Sequence, residues 1–140
     1  SIGAERVNEK IATAFDLQLT NMITGRDRQS GMEAIDKVEK EMEKYEFPSK
    51  SRLKLFVEIA RVQKSGDVEK LLQVCEKNIP QIEHEHLLAM FFPLSLTIKR
   101  NGNEDQQQRI LKLAKTLLAE TTNDKFKFSL GQFIPYALEK

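Results

Sequence analysis

The side chain best suited to nucleophilic chemistry is that of Cys75, the single cysteine. A reactive thiol needs access to solvent and a pKa lowered by a neighbouring base or a helix N-terminus. Cys75 instead shares a helical stripe with Leu71, Leu72 and Ile79. Because unpaired cysteines are among the most buried residues in folded proteins, we predict that Cys75 packs in the core.

The stretch Glu83-His84-Glu85-His86 contains the other candidates, as metal ligands or proton carriers. Zinc-binding helices place two histidines four residues apart on one face, whereas His84 and His86 are two apart and would point to nearly opposite sides. Glu83 and His86 could share an ion, but no third ligand is marked. We therefore predict a solvated first turn of a helix, with no catalytic residue, metal or cofactor. An enzyme that uses Cys75 or the two histidines is the alternative.

Two Phe-x-Pro segments suggest a binding surface. Residues 88–96 align without gaps on residues 130–138, with the shared pattern Leu, small, any, Phe, large apolar, Pro, two residues, Leu. Proline removes a helical hydrogen bond, so bends are expected at Pro93 and Pro135, where they would shape a concave face. The predicted partner-binding residues are Phe91, Phe92, Phe133 and Tyr136. Core packing of the aromatic residues is the alternative, because aromatic stripes at helical spacing are usually buried.

Composition limits the class of protein. A chain of 140 residues, 40% hydrophobic and 31% charged, is expected to form one domain. Few glycines and prolines argue against a β fold. The net charge of +1 is spread without a basic block, so nucleic-acid binding is not expected. The longest uncharged run, residues 87–98, would be about 18 Å long as a helix, too short to cross a bilayer of about 30 Å, and membrane insertion is not expected.

The positions of apolar stripes and helix caps predict an all-α fold of about seven antiparallel helices. A leading helix spans residues 3–24, and three helical hairpins follow at about 30–66, 67–101 and 103–140. Within them, one helix is predicted to run from about residue 82 to 99. Each hairpin is predicted to start with a narrow-striped outer helix, whose N-caps are Ser30, Asp67 and Asn103.

Several residues are predicted to mark helix ends. Ser30 and Glu33 have the spacing of a capping box, as do Asn103 and Gln106. Three further residues are predicted to terminate helices, namely Gly25, Pro48 and Gly66.

The spacing of about 36 residues between N-caps, the two helices in each period and the Gly66-Asp67 junction resemble a tetratricopeptide-type array. The strict motif is absent, because the chain lacks tryptophan and the Leu-Gly and Tyr positions. The resemblance implies a right-handed α-α superhelix in a single domain, residues 1–140. It also implies a scaffold that binds a protein or peptide on its inner helices.

A second resemblance concerns the start of the chain. Ser1-Ile2-Gly3-Ala4, followed by an amphipathic helix, is similar to the end of a thioredoxin-like domain. It implies, as an alternative function, a helical accessory domain of a thiol-disulfide oxidoreductase whose catalytic domain lies upstream, in a bacterial envelope protein. The compartment is left open between envelope and cytoplasm, and a homodimer is a further alternative to a separate partner.

Overall fold

The computed structural model describes residues 2–26 and 31–140, with side chains from Asn8 onward. Within those ranges every regular element is helical, so the predicted all-α class is confirmed. The α-helices are α1 (Ile2–Thr24), α2 (Met32–Met42), α3 (Lys50–Ser65), α4 (Val68–Asn78), α5 (Phe91–Asn101), α6 (Glu104–Glu120) and α7 (Asp124–Phe133). Short 3₁₀ turns lie at Ile79–Gln81 and His84–His86, and a π-helical turn lies at Ile134–Leu138.

The helices group into two compact units, residues 1–65 (the N-terminal unit) and residues 66–140 (the C-terminal unit). The boundary coincides with the end of the first predicted hairpin. The prediction of one domain stays a prediction.

In the N-terminal unit, α1 and α2 both pack against α3. Apolar residues occur nearly all round α3 in the sequence, which is typical of a helix with neighbours on more than one side, and this is the arrangement found. Arg52 of α3 donates a hydrogen bond to the carboxylate of Asp16 on α1, at 2.8 Å. The leading helix therefore belongs to this unit and covers part of the predicted inner helix α3. The buried α3 residues are Leu53, Phe56, Val57, Ile59 and Ala60.

The second helix differs from its prediction at its end. It ends at Met42, not at Pro48, because the backbone tightens there: the N–H of Tyr45 bonds the carbonyl of Met42, three residues back. The tighter turn lets Phe47 enter the core, where its ring lies 6.1 Å from that of Phe15.

The start of α2 also differs. Met32, the first residue of α2, is 40% exposed. Gly31 occupies the N-cap position without a side-chain bond. Ser30 lies outside the described residues, so its capping box with Glu33 stays a prediction.

The glycine and cap predictions elsewhere are confirmed. Gly25 and Gly66 have φ of +80° and +76°, the left-handed conformation that ends a helix. Asp67 accepts a hydrogen bond from the backbone of Lys70, at 3.0 Å. Asn103 and Gln106 form a reciprocal capping box with two bonds of 2.9 Å. These contacts fix the starts of α4 and α6.

The C-terminal unit is built around α6, which packs against α4, α5 and α7. Its core is mostly apolar, with Asn78, Ser95 and Thr121 as buried polar residues, and burial of each large apolar side chain contributes about 1.5–3 kcal/mol. Its largest members are completely or almost completely buried: Leu72, Ile79, Leu87, Phe91, Leu94, Ile98, Ile110, Phe126 and Leu130.

The predicted helix over residues 82–99 is wrong in its first half. Residues 84–86 form a 3₁₀ turn, and α5 begins only at Phe91. Pro93 is therefore the third residue of α5, in the first turn, where backbone N–H groups have no acceptor within the helix. At this position proline removes no hydrogen bond within the helix, so the structure gives no reason for the bend predicted at Pro93.

Pro135 lies in different surroundings. It follows ten residues of regular helix in α7 and falls in the π-helical turn, in which the N–H of Glu139 bonds the carbonyl of Ile134, five residues back, at 2.9 Å. A proline inside a helix removes a bond and crowds the carbonyl four residues earlier. The wider turn accommodates it. The predicted equivalence of Pro93 and Pro135 is wrong.

Candidate functional site

An open apolar groove lies in the C-terminal unit, beside the start of α5 and along one face of α7. It encloses about 650 Å³. Positions 128 and 132 of α7 are one helical turn apart, as are 129 and 133, so the helix presents a continuous strip to the groove. The lining residues are Leu88, Phe92, Phe128, Ser129, Gln132, Phe133 and Tyr136.

Aromatic side chains form the wall of the groove and support it from beneath. The Phe92 and Phe133 rings meet edge to face, with centroids 4.8 Å apart. Behind them, the buried ring of Phe126 lies 6.0 Å from Phe92 and 6.1 Å from Phe91. Aromatic pairs at these distances contribute about 0.5–1.5 kcal/mol beyond their buried area. The wall is therefore fixed by the core.

The edges of the groove are exposed aromatic residues. Phe128 is 68% exposed and Tyr136 is 75% exposed. The described residues include only two other exposed large hydrophobic side chains, Leu17 (61%) and Met32 (40%), and both belong to the N-terminal unit. The ammonium group of Lys140 lies 4.8 Å from the centre of the Tyr136 ring, a cation–π distance.

Three of the four predicted partner-binding residues meet in this groove: Phe92, Phe133 and Tyr136. The fourth, Phe91, is completely buried and points into the core, so the prediction for Phe91 is corrected. Its neighbour reaches the groove because consecutive residues of a helix point about 100° apart.

Sequence reasoning missed Phe128 as a groove residue. A usable signal existed, because Phe128 falls off the apolar stripe of α7, between Lys127 and Ser129. An aromatic side chain on the solvent side of an amphipathic helix has no core to fill, and is a candidate for binding.

The stretch Glu83–His86 contains a cluster of side chains that could bind a metal ion. Because it forms a 3₁₀ turn and not the predicted α-helical turn, ligand atoms of Glu83, Glu85 and His86 come within 4.8 Å of one another. The third ligand that the sequence did not mark is thus Glu85. His84 turns away and packs on the ring of Phe126, at 5.3 Å. The three clustered residues lie within four positions of the chain, are exposed or half-exposed, and belong to one turn and its N-cap.

Cys75 is completely buried, as predicted. Burial raises the pKa of its thiol to about 12, because the surrounding apolar side chains disfavour the thiolate. A thiol in this state is a poor nucleophile at neutral pH.

The largest pKa shift among the charged residues belongs to Arg109, in a cluster of ion pairs that joins α6 to α4. Arg109 of α6 donates hydrogen bonds to Glu69, at 2.8 Å, and to Glu76, at 2.5 Å, both on α4. Hydrogen bonds from Arg109 and from Gln106 lower the pKa of Glu69. The bonds to Glu76 and Glu69 raise the pKa of Arg109. These carboxylates are fixed in structural pairs.

The chain matches no protein-family model, and neither a curated protein nor a solved structure shows detectable similarity to it. Among the helices in the described part of the chain, none combines the length and the apolar character required to cross a membrane.

Proposed function

We propose that this chain is a non-catalytic helical interaction domain, and that it binds a protein or peptide segment in the groove of the C-terminal unit. The observation that carries the proposal is the exposure of Phe128 and Tyr136 at the edges of an apolar groove. Covering a large apolar side chain stabilises a complex by about 1.5–3 kcal/mol. Exposed apolar patches of this kind commonly mark binding surfaces.

The shape of the groove favours an extended or helical segment over a small molecule. The groove is open and follows a helix face. Peptide-binding grooves of this type accept the apolar face of an amphipathic helix. Tyrosine is also enriched among the residues that dominate binding energies at protein interfaces. Tyr136 is therefore expected to contribute strongly.

A repeat architecture is part of the proposal. The N-cap positions of α2, α4 and α6 are Gly31, Asp67 and Asn103, which are 36 residues apart (67 − 31 and 103 − 67). Consecutive helices also pair as α2 with α3, α4 with α5 and α6 with α7. Both features support tetratricopeptide-like helical hairpins within each unit. The two prolines no longer support it.

The non-catalytic part of the proposal is supported by Cys75, whose thiol is buried. The association with an upstream thioredoxin-like domain stays a prediction. It would gain support from a parent sequence with a Cys-x-x-Cys motif before Ser1.

Selection from a displayed library of amphipathic helical peptides tests the proposal. Phe128→Ser and Tyr136→Ser should each weaken the selected peptides at least about tenfold. Leu17→Ser is the matched control, because Leu17 is also exposed (61%) but lies in the N-terminal unit. Selection of no peptide, or equal losses in all three variants, would exclude the groove as the binding site.

A further inference from the structure

We infer that Asn101 is a site of spontaneous deamidation, and that the fold keeps it unreactive while the connection between α5 and α6 (residues 101–103, the α5–α6 connection) stays closed. The inference does not depend on the proposed function of the groove. It rests on the Asn101-Gly102 pair at the end of α5 and on the hydrogen bonds that surround this pair.

Asn101-Gly102 is the only asparagine–glycine pair in the sequence. In such a pair the backbone nitrogen of glycine loses its proton to base and attacks the side-chain carbonyl carbon of asparagine. The new C–N bond closes a five-membered succinimide ring, while the amide nitrogen takes up a proton and leaves as ammonia. Water then opens the ring at either carbonyl, which gives aspartate or isoaspartate. Glycine favours the attack because it has no side chain to obstruct it.

The packing of α5 against α6 explains why glycine occupies position 102. A Cβ atom added to Gly102 would lie 2.6 Å from the carbonyl oxygen of Ile98 and 3.0 Å from the Cβ atom of Gln106. The first of these neighbours is a backbone atom, which cannot move without distorting the last turn of α5. A larger residue would therefore strain the connection, and the glycine that makes the pair reactive is required by the fold.

Hydrogen bonds hold the pair in an unreactive geometry. The attacking nitrogen, that of Gly102, donates to the carbonyl of Ile98 at 2.8 Å. The leaving amide, that of Asn101, donates to the carbonyl of Thr97 at 3.0 Å. The carbonyl of Gly102 accepts a further bond from the side chain of Gln107 on α6, at 3.0 Å. Ring closure breaks the first two bonds and rotates the backbone of Asn101 out of its helical conformation, so it requires local opening of the α5–α6 connection.

Deamidation would weaken the connection that prevents it. An aspartate at position 101 would place a negative charge at the C-terminus of α5, where the helix dipole favours positive charge. An isoaspartate would add a carbon atom to the main chain and move the N–H of Gly102 out of register with the carbonyl of Ile98. The capping box of Asn103 and Gln106 begins at the next residue, so the start of α6 would be disturbed as well.

Peptide mapping by mass spectrometry tests the inference on the full chain. The folded protein and a synthetic peptide of residues 97–110 are incubated at the same mildly alkaline pH, and conversion of Asn101 is followed over time. Because only the open state reacts, conversion should be at least about tenfold slower in the protein than in the peptide. Urea at a concentration that unfolds the chain should remove most of this difference.

Gln107→Ala tests the contact that closes the connection. It removes the bond to the carbonyl of Gly102 and should speed conversion in the protein about fivefold, the effect of one hydrogen bond on the opening equilibrium. Alanine favours helices, so α6 should stay formed. Exchange of the Gly102 amide hydrogen should accelerate by the same factor. The matched control is Gln108→Ala, at an exposed position of the same helix, which should change neither rate. Both substitutions should leave the rate in the peptide unchanged.

Several outcomes would overturn the inference. Equal conversion rates in the folded protein and the peptide would show that the fold does not protect the pair. Equal rates in the Gln107→Ala and Gln108→Ala chains would show that the bond to Gly102 does not keep the connection closed. Faster conversion at another asparagine of the unfolded chain would mean that Asn101 is not the reactive site. Each of these results would leave the proposed function of the groove untouched.

Discussion

Pro93 lies in the first turn of α5, whereas Pro135 lies where α7 widens into a π-helical turn. The nine residues around each proline follow the same pattern of leucine, phenylalanine and proline. Their surroundings nevertheless differ, since one segment leads into a helix and the other ends one. As a result, Phe91 is buried, whereas the aligned Phe133 is half-exposed and lines the groove.

The difference arises upstream of each segment. Asn123 caps α7, because its side chain accepts a hydrogen bond from the backbone of Phe126 at 2.9 Å, so a helix is already running when the chain reaches Leu130. Met90, at the N-cap of α5, makes no such bond. Helix formation needs a costly first turn, so the position of a cap decides which residues become helix interior. The conformation of each nine-residue segment therefore depends on where the helix before or within it starts.

The largest loss of stability is expected from substitution of Phe126. Its ring projects from α7 and contacts Phe91 and Phe92 of the segment around Pro93. Phe126→Ala should lower the free energy of unfolding by about 3–5 kcal/mol, because it leaves a cavity in the core. Urea denaturation measures the change. Phe128→Ala, two residues on and 68% exposed, is the matched control and should cost less than about 0.5 kcal/mol. Similar losses in both variants would contradict the assignment of core and groove faces on α7.

Substitution of the two prolines should act in opposite directions. Pro135→Ala restores an N–H inside a running helix and should raise the free energy of unfolding by about 1 kcal/mol. Pro93→Ala restores an N–H that has no acceptor within the helix and increases the freedom of the unfolded chain, so it should lower the free energy of unfolding by about 0.4–1 kcal/mol. Denaturation midpoints of the two variants provide the comparison. Changes of the same sign and size would mean that the two sites are equivalent.

Asn123→Ala tests the cap that distinguishes the segments. It should lower the free energy of unfolding by about 1 kcal/mol, the usual value of a helix N-cap. Asn101→Ala is the control, since its exposed side chain only donates to the carbonyl of Thr97 within one helix. Its effect should stay below about 0.5 kcal/mol. An equal or larger loss at Asn101 would argue against the role of the cap.

The smallest effect is expected from a substitution of Glu69, on the stability of the protein at acidic pH. The folded state lowers the pKa of Glu69 below its ordinary value of 4.5, so Glu69 stabilises the protein above that value and this contribution is lost as the pH falls through the lowered pKa. Glu69→Gln should slightly reduce the loss of stability between neutral pH and pH of about 3, and should leave the starts of α5 and α7 unchanged. Urea midpoints at the two pH values and amide hydrogen exchange provide the measurements. A changed helix start would show that surface charge, and not capping, positions the segments.

The parts of the fold set by local interactions could be predicted from the sequence. Asp67, Asn103 and Gly66 mark helix ends through bonds and dihedral angles within a few residues. The start of α5 could not be predicted, because an uncharged run of residues has the same composition whether it forms a helix or an irregular segment.

For the candidate site, the aromatic pattern identified three of the groove residues. The burial of Phe91 and the exposure of Phe128 depend on the start and rotation of each helix, which sequence spacing does not determine.

The burial of Cys75 has a practical consequence. With a pKa of about 12 and no solvent access, this thiol should resist alkylation while the C-terminal unit stays folded. A new cysteine introduced at Ser129, on the groove, could therefore carry a fluorophore without prior removal of the native thiol. Slow modification of Cys75 in the same sample would then report how often the C-terminal unit opens.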